Sequence, residues 1–117
     1  METQRAGHAG ELARTHGVAY DAVFSLGGDG TAVEVIGALA DTGPPVGILP
    51  GGTGNLLARS LGIPQRISKA VPALLSGRET RRDLGRLGDG RHFAIGVGVG
   101  VDAEMIAGAT LEMKQRL

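Results

Sequence analysis

Short apolar runs ended by glycine, with helical stretches between them, set the pattern of the first two thirds of the chain. Thr3 to His16 places Leu12 and several Ala among polar residues and closes on Gly17, which predicts a helix. Ala22, Val23, Phe24 and Leu26 form a compact apolar run, the pattern of a strand covered on both faces. Gly27-Gly28-Asp29-Gly30 breaks that run. Thr31 to Glu34 then opens a second helix with the Thr-x-x-Glu spacing of a capping box. Val35, Ile36 and Leu39 supply its apolar side, and Thr42-Gly43-Pro44-Pro45 stops it. Val46 to Leu49 predicts a second buried strand, followed by Pro50-Gly51-Gly52-Thr53-Gly54. A third helix is expected from near Asn55 to just before Gly62-Ile63-Pro64, and a fourth over Ser68 to Leu75.

The pattern changes near Ser76-Gly77. Arg78 to Leu87 looks like a strand, Gly88-Asp89-Gly90 like a hairpin turn, and Arg91 onward like its return partner. From Phe93 the chain alternates Ile95, Val97, Val99 and Val101 with Ala94, Gly96, Gly98 and Gly100, so one face is branched and the other nearly bare backbone. That bare face suits close sheet packing, or admission of a lipid chain. The reading is an α/β domain over residues 1–77 followed by the start of an antiparallel β domain over 78–117.

Composition narrows the class. Leu, Ile, Val and Phe make up about a quarter of the chain, above the roughly 20% below which disorder is usual. Twelve basic residues balance twelve acidic ones, which argues against a nucleic-acid-coating protein. Three aromatic residues, Tyr20, Phe24 and Phe93, leave little for base stacking. There is no cysteine, hence no disulfide framework and no thiolate metal site. No segment reaches the ~18 apolar residues of a membrane span, and polar Met1 to Glu11 is unlike a signal peptide, so a cytoplasmic protein is expected. His8, His16 and His92 have no ligand spacing. Arg78, Arg81, Arg82, Arg86 and Arg91 alternate with Glu79, Asp83 and Asp89, as on a solvated strand face, with attraction to an anionic lipid surface as the other reading.

The two glycine loops carry the chemistry. Each follows a buried strand and precedes a helix, at the carboxyl edge where open α/β sheets bind ligands. Glycine lets a backbone approach phosphate closely, and the following helix start offers free N–H groups. Neither loop has the Gly-Lys-Ser/Thr of a Walker loop, and Gly28-Asp29-Gly30 lacks the third Gly of a dinucleotide fingerprint. A carboxylate repels phosphate, so Asp29 suggests a chemical role: accepting a proton from a hydroxyl nucleophile, or helping to hold Mg²⁺. Thr53 and Asn55 also suit helix N-caps, Glu34 suits a capping box, and Asp102 suits the cap of a helix from Ala103.

Gly27-Gly28-Asp29-Gly30-Thr31 with Glu34, then Pro50-Gly51-Gly52-Thr53-Gly54-Asn55, then Ala58-Arg59 and Leu61-Gly62-Ile63-Pro64, resemble the diacylglycerol kinase catalytic domain family. Gly7-His8-Ala9, Glu11-Leu12-Ala13 and Val101-Asp102-Ala103 extend the resemblance along nearly the whole chain. Val33 departs from the family's usual Asn, and Leu56 from a common Asp. The resemblance implies an NAD-kinase-like nucleotide-binding domain and ATP-dependent phosphorylation of a lipid hydroxyl, on diacylglycerol or a long-chain base, with Mg²⁺ as cofactor. By motif position the ATP-site residues are Gly27, Gly28, Asp29, Gly30, Thr31, Glu34, Gly52, Thr53, Gly54 and Asn55. Asp29 matches the catalytic base of long-chain-base kinases, and Asp102 the Asp that contacts the lipid head group. Bacterial relatives instead place an acidic catalytic residue further downstream, beyond Leu117. The implied partners are ATP and a lipid, with peripheral membrane contact and a homodimer left open.

Two alternatives stand beside this reading. A NAD kinase shares the Gly-Gly-Asp-Gly-Thr loop but carries a different second loop. A nucleotide-binding, inactive fragment is the other, since the family's kinases run to roughly two domains' length and this chain covers less. The expectation is a piece incomplete at both ends, and inactive alone.

Overall fold

The computed structural model describes residues 1–41 and 43–94. Helix α1 covers His8–His16, and a single 3-10 turn at Gly17–Ala19 leads into strand β1, Val23–Gly27. Helix α2 (Asp29–Leu39), strand β2 (Val46–Pro50), helix α3 (Leu56–Ser60) and helix α4 (Ile67–Ser76) follow. A short hairpin of β3 (Gly85–Arg86) and β4 (His92–Phe93) comes last.

β1 and β2 pair in parallel, with Val23 opposite Val46, Ser25 opposite Ile48 and Gly27 opposite Pro50. A parallel pair needs a crossover, and α2 supplies it. Ala32, Val35, Ile36 and Leu39 recur at helical spacing and give α2 an apolar stripe. Its upper part packs with Ala32, Ile48, Leu57 and Ala58 into one buried cluster; its lower part packs with Ala9 and Ala13 of α1 into another. Both clusters lie on the face of the sheet that carries Ser25 and Ile48. α4 lies on the opposite face, where its Leu74 approaches Gly47.

Four expectations change on contact with the structure. The first helix starts at His8 rather than Thr3, because Gly7 takes a left-handed conformation at φ +82° and breaks the turn before it. β1 is covered on one face only: Ser25 is buried, whereas Phe24 and Leu26 are 43% and 62% exposed, since α4 sits beside β2. The Thr31–Glu34 capping box does not form, because the helix already begins at Asp29 with Gly28 as its N-cap, three residues too early for that pairing. The long strand expected over Arg78 to Leu87 contracts to Gly85–Arg86, whose only partners among the described residues are His92 and Phe93. The hairpin turn at Gly88 to Gly90 is present, closed by the Gly90 N–H donating to Leu87 O at 2.9 Å. The alternation from Ile95 to Val101, and Asp102 with it, lies outside the described residues.

Candidate functional site: the junction of two glycine loops

Because β1 and β2 are parallel and in register, both of their following loops leave from the same edge of the sheet. The Gly51 N–H donates to Gly27 O at 2.8 Å, which carries the pairing one step beyond the strands. Above it, Gly28 and Gly52 abut. A Cβ placed on Gly52 would collide with Gly28 Cα and lie 3.1 Å from Gly28 N, so backbone meets backbone where any side chain would intrude.

Asp29 fastens the far side of the junction. It is half-buried at the first position of α2, and its two carboxylate oxygens accept separate N–H groups of α3, from Leu56 at 2.9 Å and from Leu57 at 2.8 Å. Those amides are among the orphan donors of a helix start. The helix's own N-cap residue does not serve them. Asn55 stands in the left-handed region at φ 52°, and its side chain turns back on Gly52, accepting from the Gly52 N–H and donating to Gly52 O, both at 2.9 Å. Arg59 braces the same loop by donating from Nε to Gly54 O at 3.0 Å. Thr53 and Gly54 are exposed at the loop's crest, and Gly30 is exposed on the facing loop.

The structure therefore brings together Gly27, Gly28 and Asp29 with Gly52 and Asn55. Glu34 stands apart. Its Oε1 accepts from the Gly7 N–H at 3.1 Å, and it lines a cleft of about 490 Å³ between α1, α2 and the hairpin, with Gly10, Arg14 and His92. Gly7 thus joins the start of α1 to the helix that follows the first glycine loop. Sequence reasoning missed three contributors: the Gly51 N–H, the Leu56 and Leu57 amides, and Gly7 as the partner of Glu34. Gly7 and Gly51 sat inside motifs already noted, but a backbone donor leaves no mark on residue identity. Among the described residues no three His, Asp or Glu side chains cluster as a metal site would require.

The family model of the diacylglycerol kinase catalytic domain matches residues 1–87. The chain belongs to that family. The diacylglycerol kinase of Staphylococcus saprophyticus is 38% identical over 94 residues, covering 78% of this chain and 30% of that protein. The Staphylococcus aureus enzyme of the same name is 35% identical over 95 residues, covering 80% and 27%. The crystal structure of a diacylglycerol kinase from Bacillus anthracis superposes with a TM-score of 0.72 at 30% identity, over 90% of this chain and 39% of that one. The chain spans under a third of the length of these two curated relatives. All the diacylglycerol kinase family residues described above as the loop junction fall inside the matched segment.

Proposed function

We propose that this chain carries the nucleotide-holding part of an ATP-dependent lipid kinase, with the phosphates seated across the two glycine loops. One observation carries the reading: the loops meet backbone to backbone at the carboxyl edge of the parallel pair, where a Cβ would fill the space. Such an edge presents unshielded N–H groups and the positive end of α2 toward an anion. Gly28, Gly30, Thr31, Thr53 and Gly54 would line that anion's seat, and the close approach of Gly28 to Gly52 brings the two loops side by side with no side chain between them. Mg²⁺ belongs to the proposal as the partner that arrives on the nucleotide and neutralises charge in phosphoryl transfer. The protein's part is to seat the phosphates, keep side chains out of their way and hold the two loops at a constant separation.

The names of the relatives support a lipid hydroxyl as acceptor, with diacylglycerol as the first candidate; a long-chain base is the second acceptor of the proposal, and either lipid brings peripheral contact with a membrane surface. No described helix is long and apolar enough to cross one. The proposal divides the chain near residue 77, where α4 ends, and leaves the lipid side of the reaction to the residues after it. The second loop, Pro50 to Asn55, favours this reading over a NAD-kinase-type enzyme.

Calorimetry on the full chain with ATP tests it. Binding that requires Mg²⁺ is the expected result, because glycine loops without Lys leave the phosphate charge unpaired. Equal affinity in EDTA, or no binding at all, would overturn the proposal.

A further inference from the structure

We propose that Asp29 is a positioning residue that locks the second glycine loop to the first, rather than the group that takes the substrate's proton; this rests on the nucleotide reading above. The carboxylate reaches 27 residues along the chain and spends one oxygen on each of the first two amides of α3. The residue placed to cap α3 is committed elsewhere, since the Asn55 side chain closes its own loop onto Gly52 in both directions. Asp29 is thus the cap of α3, supplied from α2.

The consequence is mechanical. Three fastenings lie in a row across the junction: Gly51 to Gly27 at its base, Gly28 against Gly52 in the middle, and Asp29 to Leu56 and Leu57 at its far end. The first two are set by backbone alone. Only the third depends on a side chain, so Asp29 is the one of these three fastenings that substitution can release without adding bulk to the junction. An Asp in a loop that must receive phosphate is otherwise costly, because its charge opposes the ligand. Directed at two backbone donors of a helix start, the charge is engaged by the positive end of α3 and turned from the seat.

The test compares the wild-type full chain with Asp29→Asn, which keeps one acceptor oxygen, and Asp29→Ala, which keeps none. Without nucleotide, the Leu56 and Leu57 amides should exchange about tenfold faster in the Ala variant, the loss of a helix cap, with the Asn variant between. The Val23 amide, bonded to Pro45 O at the opposite end of the strands, is the internal reference and should not change. Affinity for Mg²⁺-ATP should fall in the same order, by about tenfold in the Ala variant, with partial rescue by Asn. Unchanged exchange at Leu56 and Leu57 overturns the tether. Faster exchange with unchanged nucleotide affinity overturns the positioning role and returns Asp29 to the chemistry. If the Ala variant also loses protection at Val23, it has unfolded more widely and the Asn variant decides by the same two readings. A wild-type chain that binds no nucleotide while protecting Leu56 and Leu57 overturns the proposed function and leaves the tether standing.

Discussion

Asn55 and Gly52 form a closed ring: the Gly52 N–H donates to Asn55 Oδ1, and Asn55 Nδ2 donates back to Gly52 O, each at 2.9 Å. The ring holds Asn55 at φ 52°, a left-handed conformation that side chains other than Asn and Asp adopt at a cost of about 1–2 kcal/mol. Asn therefore fills two roles, tolerating the backbone angle and tying the loop.

The two roles separate on substitution. Asn55→Gly keeps the backbone angle free of strain and loses only the ring, for an expected loss of about 1–2 kcal/mol at roughly 1 kcal/mol or less per hydrogen bond. Asn55→Ala loses the ring and adds the left-handed penalty, so its loss should be larger by about 1 kcal/mol. Urea unfolding of the three proteins checks this order. An Ala variant as stable as the Gly variant would show that Asn55 does not hold this conformation in solution.

Gly52→Ala should be the most damaging single-methyl change in the second loop. The added Cβ meets Gly28 backbone on one side, and the facing loop cannot retreat without breaking the Gly51–Gly27 hydrogen bond. A forced backbone shift of this kind costs about 1–3 kcal/mol. For a domain of this size that is a fall in Tm of roughly 10 °C. Gly54→Ala, two residues on, meets only Asp29 Oδ2 at 3.6 Å and Leu56 Cγ at 3.9 Å, and should leave Tm nearly unchanged. Thermal melts of the pair suffice. Equal effects would mean that the loops do not touch.

How much of this was legible beforehand depends on the range of each interaction. The two strands, the glycine breaks and the placing of both loops at one sheet edge follow from apolar runs and local turn chemistry, and all are present. What could not be read is which group answers which across the junction. Asp29 caps a helix 27 residues away, and nothing local to either segment records that pairing. Glu34 shows the converse error. Its spacing from Thr31 imitates a capping box, but the helix begins at Asp29, and the carboxylate answers Gly7 instead. The exposed Phe24 and Leu26 likewise look like core in a one-dimensional pattern, since an apolar run cannot say which face α4 covers.

Ser25 tests the buried face of the sheet. It is 4% exposed in the middle of β1, and among the described residues its Oγ has no hydrogen-bond partner. An unsatisfied buried hydroxyl costs about 1–3 kcal/mol. Ser25→Ala removes the hydroxyl and almost no volume, so it should raise stability by about 1 kcal/mol, seen as a higher urea midpoint at unchanged slope. A destabilised Ala variant would show that the hydroxyl has a partner in solution.

The last prediction concerns acid. The Asp89 carboxylate accepts the Arg91 backbone N–H at 3.0 Å and the Arg91 Nε–H at 2.7 Å, and these bonds hold its pKa below the ordinary carboxylate value. A carboxyl whose folded pKa is depressed adds stability above its unfolded pKa and loses that contribution as pH falls through the folded value. The hairpin turn should therefore be unaffected by pH between neutrality and about 5, then loosen below the usual carboxylate range of about 4. Both groups are exposed, so the effect is local to residues 88–92 and global stability is little changed. Amide chemical shifts of Gly90 and Arg91 followed from pH 7 downward would show a single titration with a midpoint below that of a free Asp. Asp89→Asn should abolish it while keeping the turn, because the amide oxygen still accepts the Arg91 N–H. A midpoint at or above the free-Asp value would mean that Asp89 and Arg91 are not paired in solution.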